Sequence, residues 1–371
     1  MRWLWYGVGG TLAFVGLHVA LLMLHDPPAA VGAPLRLSRP ARVDGNATVL
    51  FAGDTAEIDA AQPTLDDQGY QYPFTLTVDL VRDADLAVAN LEAPITDGGV
   101  RFPLYKDYVY RAPARSAEAL AWAGFDVLGL ANNHTLDYGA EGLADTIANA
   151  AKSGMLTAGA GATPADARRG VIATVGSVRI GLLAYCEKQI LWRVYVDQFA
   201  RRGHPGVAAL VDADLRADIA RLRPLVDVLV VSLHLGDNYA PPSASTLRWS
   251  RRAIDLGADL VVNHHPHLAH PVLLHHGRPI LLSLGNYAFG TPGRPPLDYG
   301  WLALAQIERR RLVRIEIVPL AVQNAQVQFR PEPLRDEELA RALERLRTES
   351  KKYGADVRIE RGRGILYAGP S

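Results

Sequence analysis

The 371-residue chain has one cysteine, no excess of either charge, and neither an internal repeat nor a low-complexity tract. A single cysteine excludes a disulfide within the chain and withholds the sulfur that structural zinc sites usually use. Cys186 ends the apolar run Ile-Gly-Leu-Leu-Ala-Tyr-Cys and reads as a buried strand residue, not a nucleophile. Lysine plus arginine equals aspartate plus glutamate at 39 each, so no global basic field exists to attract nucleic acid. Any anion has to be held by a local site. At 49% hydrophobic and 21% charged residues, wholesale disorder is excluded and a sizeable core is expected.

Residues 3–24 carry no charge over 22 positions, behind a short flank containing Arg2. That length spans a bilayer, whereas the apolar region of a cleaved secretory signal is usually shorter. The expected arrangement is a single-pass anchor in the cell membrane with the rest of the chain extracytoplasmic, although Arg36, Arg39 and Arg42 follow the segment and oppose that orientation. Residues 25–46, rich in Pro, Ala, Gly and Arg, read as a tether. From 47 to 330 strand-like and helix-like segments alternate, as in α/β proteins. Strands are expected at 48–52, 85–89, 126–130, 178–184, 228–233, 260–262, 271–274, 280–284, 302–308 and 312–318, and helices at 74–82, 114–123, 141–153, 214–222 and 245–256. Residues 331–371 form a closing extension of charged helix and strand.

Seven of the eleven histidines fall between His234 and His276, and several directly follow apolar runs. A strand end fixes an imidazole rigidly, and neutral imidazole is the commonest metal ligand. Other polar residues share this placement: Asp54 follows Val-Leu-Phe-Ala-Gly, Asn90 and Glu92 follow Leu-Ala-Val-Ala, and Asn132, Asn133 and His134 follow Val-Leu-Gly-Leu-Ala. In open α/β sheets the site forms outside the carboxyl ends of the strands, so these loops converge on the rim that carries His234, His265 and His267. Two carboxylates, an amide oxygen and three imidazoles exceed the needs of one structural zinc ion and fit two neighbouring ions. Manganese, iron or zinc suits such a donor set, whereas magnesium and calcium prefer oxygen cages. Two ions lower the pKa of a shared water and clamp the oxygens of a displacement at phosphorus.

Six segments, Phe-Ala-Gly-Asp at Asp54, Asn-Leu-Glu at 90–92, Ala-Asn-Asn-His-Thr-Leu-Asp-Tyr-Gly at 131–139, His-Leu-Gly at His234, Asn-His-His-Pro-His at 263–267 and Ser-Leu-Gly-Asn-Tyr at 283–287, resemble the CapA family of poly-γ-glutamate capsule synthesis proteins. That family looks like a branch of the calcineurin-like metallophosphatases. The resemblance implies a sandwich of two β-sheets flanked by helices. It also implies that Asp54 and His267 hold one divalent ion, that Asn133, His234 and His265 hold the other, and that Glu92 bridges them. By the same resemblance His134 is the acid that protonates the leaving oxygen and Asp137 orients it. Lys106 and Arg111, in Lys-Asp-Tyr-Val-Tyr-Arg, are expected either to clamp a phosphate or carboxylate or to be solvated charges, and Asn286 is placed among the substrate contacts. Ala56 stands where metallophosphatases commonly have a histidine, which leaves the first ion short of a donor unless Glu57 completes it.

The expected function is that of a membrane-anchored phosphoesterase-type hydrolase of capsule or envelope polymer synthesis, with the membrane, capsule synthesis or export proteins and an anionic polymer or phosphoester as partners. Poly-γ-glutamate contains no phosphoester, so two alternatives stay open: a non-catalytic assembly or export protein, and a metal-dependent amide hydrolase. Outside the ligand set, His264 and His270 read as supporting or solvent-facing residues, His275 and His276 as part of a hairpin turn, and 188–204 as a lid or a packed amphipathic helix.

Overall fold

A computed structural model describes residues 31–101, 106, 108–187, 198–291 and 299–369. The expected anchor at 3–24 and most of the segment expected as a lid lie outside the described residues. Among the described residues no helix is long and apolar enough to cross a membrane. Residues from Val31 onward gather into one unit by their contacts.

Two large sheets dominate. The seven-stranded sheet runs, in spatial order, Leu35–Arg39, Val171–Val175, Val178–Cys186, Val228–His234, Leu260–His264, Arg278–Leu281 and Val272–His275. The ten-stranded sheet has Arg358–Glu360, Arg363–Tyr367, Arg311–Ala321, Gly300–Glu308, Ala47–Ala56, Leu86–Leu91, Val127–Gly129 and Leu156–Ala158 in order, with Asn286–Phe289 beside Ala47–Ala56 and Glu332–Pro333 beside Arg311–Ala321. Side chains alternate across a strand, and this alternation builds the layers. Val228 and Val230 join the main core with Val49, Phe51 and Val88 of the other sheet, whereas Leu229, Val231 and Leu233 face the opposite way, against Leu215, Ile219 and Ile254 of the helices Asp212–Leu222 and Ala244–Asp255. On the ten-stranded side, Leu120 and Leu143 bring the helices Arg115–Ala123 and Gly139–Lys152 into the main core. The expected architecture of two sheets flanked by helices is therefore present.

Three local readings change. The tether expected at 25–46 contains the strand Leu35–Arg39, paired in parallel with Val171–Val175 over five residues. Its alternating arginines and serine look like linker because it is an edge strand with one face in water. The single helix expected at 74–82 is a 3₁₀ turn, Tyr72–Phe74, followed by the short helix Val78–Arg82. Thr75 and Thr77 donate their hydroxyls back to the carbonyls of Tyr72 and Phe74, the local competition that discourages a continuous helix. The closing residues 331–371 are not appended to the sheet: Arg363–Tyr367 pairs with Arg311–Ala321 and so belongs to it.

Parallel pairing brings the carboxyl ends of Ala47–Ala56, Leu86–Leu91 and Val127–Gly129 to one edge of one sheet, and those of Val178–Cys186, Val228–His234 and Leu260–His264 to one edge of the other. Register sets Asp54 beside both Asn90 and Asn286, and His234 beside His264. The approach to Asn286 is close. Asp54 N–H donates to Gly285 O at 2.9 Å, and a Cβ on Gly53 would lie 2.1 Å from that same carbonyl oxygen. Only glycine fits at 53.

Candidate metal centre

Asp54 sits two residues before the end of its strand, every other proposed ligand sits at a strand end or one to four residues beyond it, and all are buried except Asn133, which is partly exposed. Around His234 Nε2 lie Asn133 Oδ1 at 2.7 Å, His265 Nδ1 at 3.0 Å and Glu92 Oε1 at 3.4 Å. On the other side of Glu92, His267 Nδ1 stands 2.9 Å from Asn286 Oδ1 and 3.3 Å from Asp54 Oδ2, so its proton has an acceptor there. That leaves the Nε2 lone pair facing Glu92 Oε1 at 4.0 Å, acceptor against acceptor. Two sets of donor atoms therefore converge, one from Glu92, His234 and His265, the other from Asp54, Glu92 and His267. Glu92 belongs to both, and its buried Oε1 receives no hydrogen bond. An orphaned buried carboxylate oxygen among imidazole lone pairs is what a cation would satisfy.

The loop after Leu260–His264 aims the imidazoles by taking left-handed backbone at His265 (φ 100°) and His267 (φ 56°), a conformation that costs energy outside glycine. His265 N–H donates to Asp54 Oδ2 at 3.3 Å, and Asn90 Nδ2 donates to Asp54 Oδ1 at 2.8 Å and Glu92 Oε2 at 3.4 Å, which holds the two carboxylates in place.

Electrostatics point the same way. Burial, and next the Asp54 charge, push the Glu92 carboxyl well above its ordinary range. Burial raises Asp54 too, but hydrogen bonds and charge from His264 and His267 outweigh it and hold that carboxyl well below. Burial and the other imidazoles depress His234 well below its usual value and His265 to about 3. Imidazoles that burial keeps from charging, His234 and His265, beside two crowded carboxylates suit a divalent cation.

The sequence profile of a bacterial capsule synthesis protein, PGA_cap, matches residues 48–291, which include every one of these groups. The chain belongs to that capsule synthesis family. It is 31% identical to a probable polyglutamine synthesis accessory protein of Mycobacterium tuberculosis, over 77% of this chain and 78% of that one. Identity is 28% both to the PGA biosynthesis protein CapA of Bacillus subtilis (74% of this chain, 71% of that one) and to the capsule biosynthesis protein CapA of Bacillus anthracis (75% and 68%). A crystal structure of a putative 5′-nucleotidase from Staphylococcus aureus in complex with alpha-ketoglutarate superposes at a TM-score of 0.40 with 13% identity, over 79% of this chain and 55% of that one, too loosely to bear on the chemistry.

In this member of the capsule synthesis family, a second group of residues adjoins the ligands. His134 Nδ1 is 2.6 Å from Asp137 Oδ2, and the Tyr110 ring stacks on the imidazole at 4.1 Å. Burial, and next the Lys106 cation, hold His134 down near 4. Lys106 is buried, with Nζ 2.5 Å from Asp137 Oδ1, 2.7 Å from Asn133 O and 3.0 Å from His134 Nδ1. It braces the His134–Asp137 pair. Arg111 is not brought to the centre; it is exposed and lies over the Tyr138 ring at 4.7 Å. Asn286 sits in the centre against His267, where it fixes the imidazole and is not a free substrate contact.

Other expectations fare differently. His264 is buried with Nδ1 3.3 Å from Asp54 Oδ1, and His270 is buried with Nε2 3.0 Å from Ala240 O, so neither faces solvent. Glu57 joins neither donor set; both its oxygens are buried without partners and burial pushes its carboxyl well above the usual range. The rings that wall His267, Phe289 at 4.9 Å and Tyr239 at 5.7 Å, carried no sequence signal beyond their closeness to the motifs.

Replacing Lys106 with methionine keeps the buried stem and removes the charge. The variant is expected to lose about 1–3 kcal/mol of stability, because Asn133 O and Asp137 Oδ1 lose a donor in a dry site. Urea unfolding checks the cost. Retained metal content alongside reduced turnover would identify Lys106 as a brace for His134, and unchanged turnover would reduce it to a structural ion pair.

Proposed function

We propose that this family member is a metal-dependent phosphoester hydrolase acting in capsule or envelope polymer synthesis of the poly-γ-glutamate type, tethered to the cell membrane by residues 3–24 with its site outside the cytoplasm. The sharing of Glu92 between the two donor sets carries the reading, since a carboxylate common to both is how a bridged two-ion centre is built. Asp54 and His267 would hold one ion, Asn133, His234 and His265 the other, and Glu92 both. Manganese, iron or zinc fits the donors. Such ions, when bound, activate water and neutralise charge on a phosphoryl group.

The chain's own residues do the rest. Asp137 takes the Nδ1 side of His134, which leaves Nε2 as the nitrogen available to an incoming group. Burial and the Lys106 cation disfavour a charge on His134 in the free protein. An arriving phosphate dianion has the opposite effect, so His134 acquires its proton as substrate binds and delivers it to the leaving oxygen. Tyr110 stacked on the ring keeps water from one face. Expected partners are capsule synthesis or export proteins and an anionic polymer or phosphorylated intermediate.

A second reading is favoured by one observation: Ala56 stands in place of a histidine, Glu57 joins neither donor set, and among the described His, Cys, Asp and Glu side chains the set around Asp54 gathers only Asp54, Glu92 and His267. On that reading the centre binds polymer or partner without turnover. His134→Ala separates the two when assayed with manganese on p-nitrophenyl phosphate and its diester. A drop in turnover of about 10²–10⁴ with metal content intact supports the hydrolase. No turnover in the parent with either ester favours the binding role, and turnover unchanged in the variant removes His134 as the acid.

A further inference from the structure

Three potential ligands stand together away from the centre described above: Asp255, His275 and His276. His275 and His276 are neighbours in sequence, and neighbours in a strand point to opposite faces. Here they do not diverge. His275 ends the strand Val272–His275 and pairs with Arg278 across a two-residue turn, in which His276 (φ 48°) and Gly277 (φ 72°) are both left-handed. That turn swings the His276 ring back, so the two ring centroids are 4.1 Å apart. Both Nε2 atoms aim at one oxygen, Asp255 Oδ1, at 2.7 Å from His275 and 3.5 Å from His276. Gly369 N–H donates to Gly277 O at 2.8 Å and ties the turn down from the other side.

Asp255 is the last residue of the helix Ala244–Asp255, where the helix dipole disfavours negative charge and a cation is welcome. Two nearby arginines form ion pairs with other carboxylates: Arg252 with Asp212 at 2.6 Å and Arg278 with Asp259 at 3.1 Å. Two imidazoles and one carboxylate with atoms already converging are the donor set of a transition ion with open positions, and their partial exposure leaves room for water at those positions.

We propose that Asp255, His275 and His276 form a peripheral site for a divalent transition-metal ion such as zinc, nickel or copper, separate from the buried centre. The arrangement needs no movement of the backbone, because the turn has already placed both rings. Its exposure makes it weaker and faster to exchange than the interior.

The test is zinc binding by equilibrium dialysis on the full chain in detergent, comparing the parent with His276→Ala, Asp255→Asn and the interior variant His265→Ala. All three outer residues are at the surface, so the outer variants are expected to fold, and circular dichroism confirms that each has. The expected result is that His276→Ala and Asp255→Asn each weaken one zinc ion by about tenfold or more and leave interior binding unchanged, while His265→Ala does the reverse. Copper(II) bound to Glu92→Gln, which is expected to lose both interior ions, should show two nitrogen couplings by electron paramagnetic resonance, and one after adding His276→Ala. The proposal is overturned if the outer variants bind zinc with the parent's stoichiometry and affinity, or if His265→Ala removes all bound zinc.

Discussion

Glutamine in place of Glu92 is expected to cost the protein both interior ions together, each by more than about a hundredfold in affinity, because even residues behind the ligands usually change metal affinity by 10–100-fold. The other ligands belong to one donor set each, so His265→Ala or His267→Ala should remove one ion and leave the second measurable. Elemental analysis of the three variants beside the parent reads the difference directly. Stability should move in the opposite direction. Without metal, Glu92 is a buried acid crowded by Asp54 and short of a hydrogen bond, so the metal-free glutamine variant should unfold at or above the temperature of the metal-free parent. A variant that loses metal because it has unfolded would show the reverse. Equal loss of one ion in all three variants would separate the sites and end the bridging role of Glu92.

The largest effect on stability is expected far from the centre. Arg168 is buried and meets Asp214 at 2.6 Å and Asp218 at 2.8 Å, while the Tyr185 hydroxyl donates to Asp218 at 2.8 Å. This network joins the seven-stranded sheet to the helix Asp212–Leu222. Arg168→Leu would strip buried Asp214 of its cation and leave Asp218 only Arg221, 3.5 Å away, a change that typically costs about 3–5 kcal/mol. Urea titration should show a lower midpoint with an unchanged slope. Arg168→Leu combined with Asp214→Asn should recover part of the loss, since removing a buried pair together is far less costly than removing one partner, and Asp218 keeps Arg221. A loss below about 1 kcal/mol would mean that water reaches the carboxylates.

Much of the centre was legible in the sequence because its chemistry follows buried strands immediately. A β-branched run such as Leu-Val-Val before Asn-His-His-Pro-His marks both the strand and the point at which its carboxyl end opens onto the rim. What the letters could not carry was whatever depends on tertiary neighbours. Lysine is read as solvated by default, and nothing local shows that Lys106 reaches into the space between His134 and Asp137. Arg111 reads equally as an anion clamp or a solvated charge, and only the fold shows it as a surface cation on an aromatic ring. Nor does composition reveal the left-handed backbone at His265 and His267, which decides where those imidazoles aim. The strand Val171–Val175 forms a tight hairpin with Val178–Cys186, yet a run of five residues is long enough to pair and too short to show a period.

The strand Leu35–Arg39 has a practical consequence for anyone who trims this protein. Composition invites a cut just before Ala47, which discards everything that resembles a leader. That cut removes the edge of the seven-stranded sheet and bares the outer side of Val171–Val175, whose backbone donors and acceptors then await a new neighbour. Val171, Ile172 and Val175 are apolar and no proline interrupts the strand, so the nearest available neighbour is the same strand on another copy. A fragment begun at Val31 keeps its own edge and is expected to self-associate less than one begun at Ala47, a difference that sedimentation of the two fragments reads.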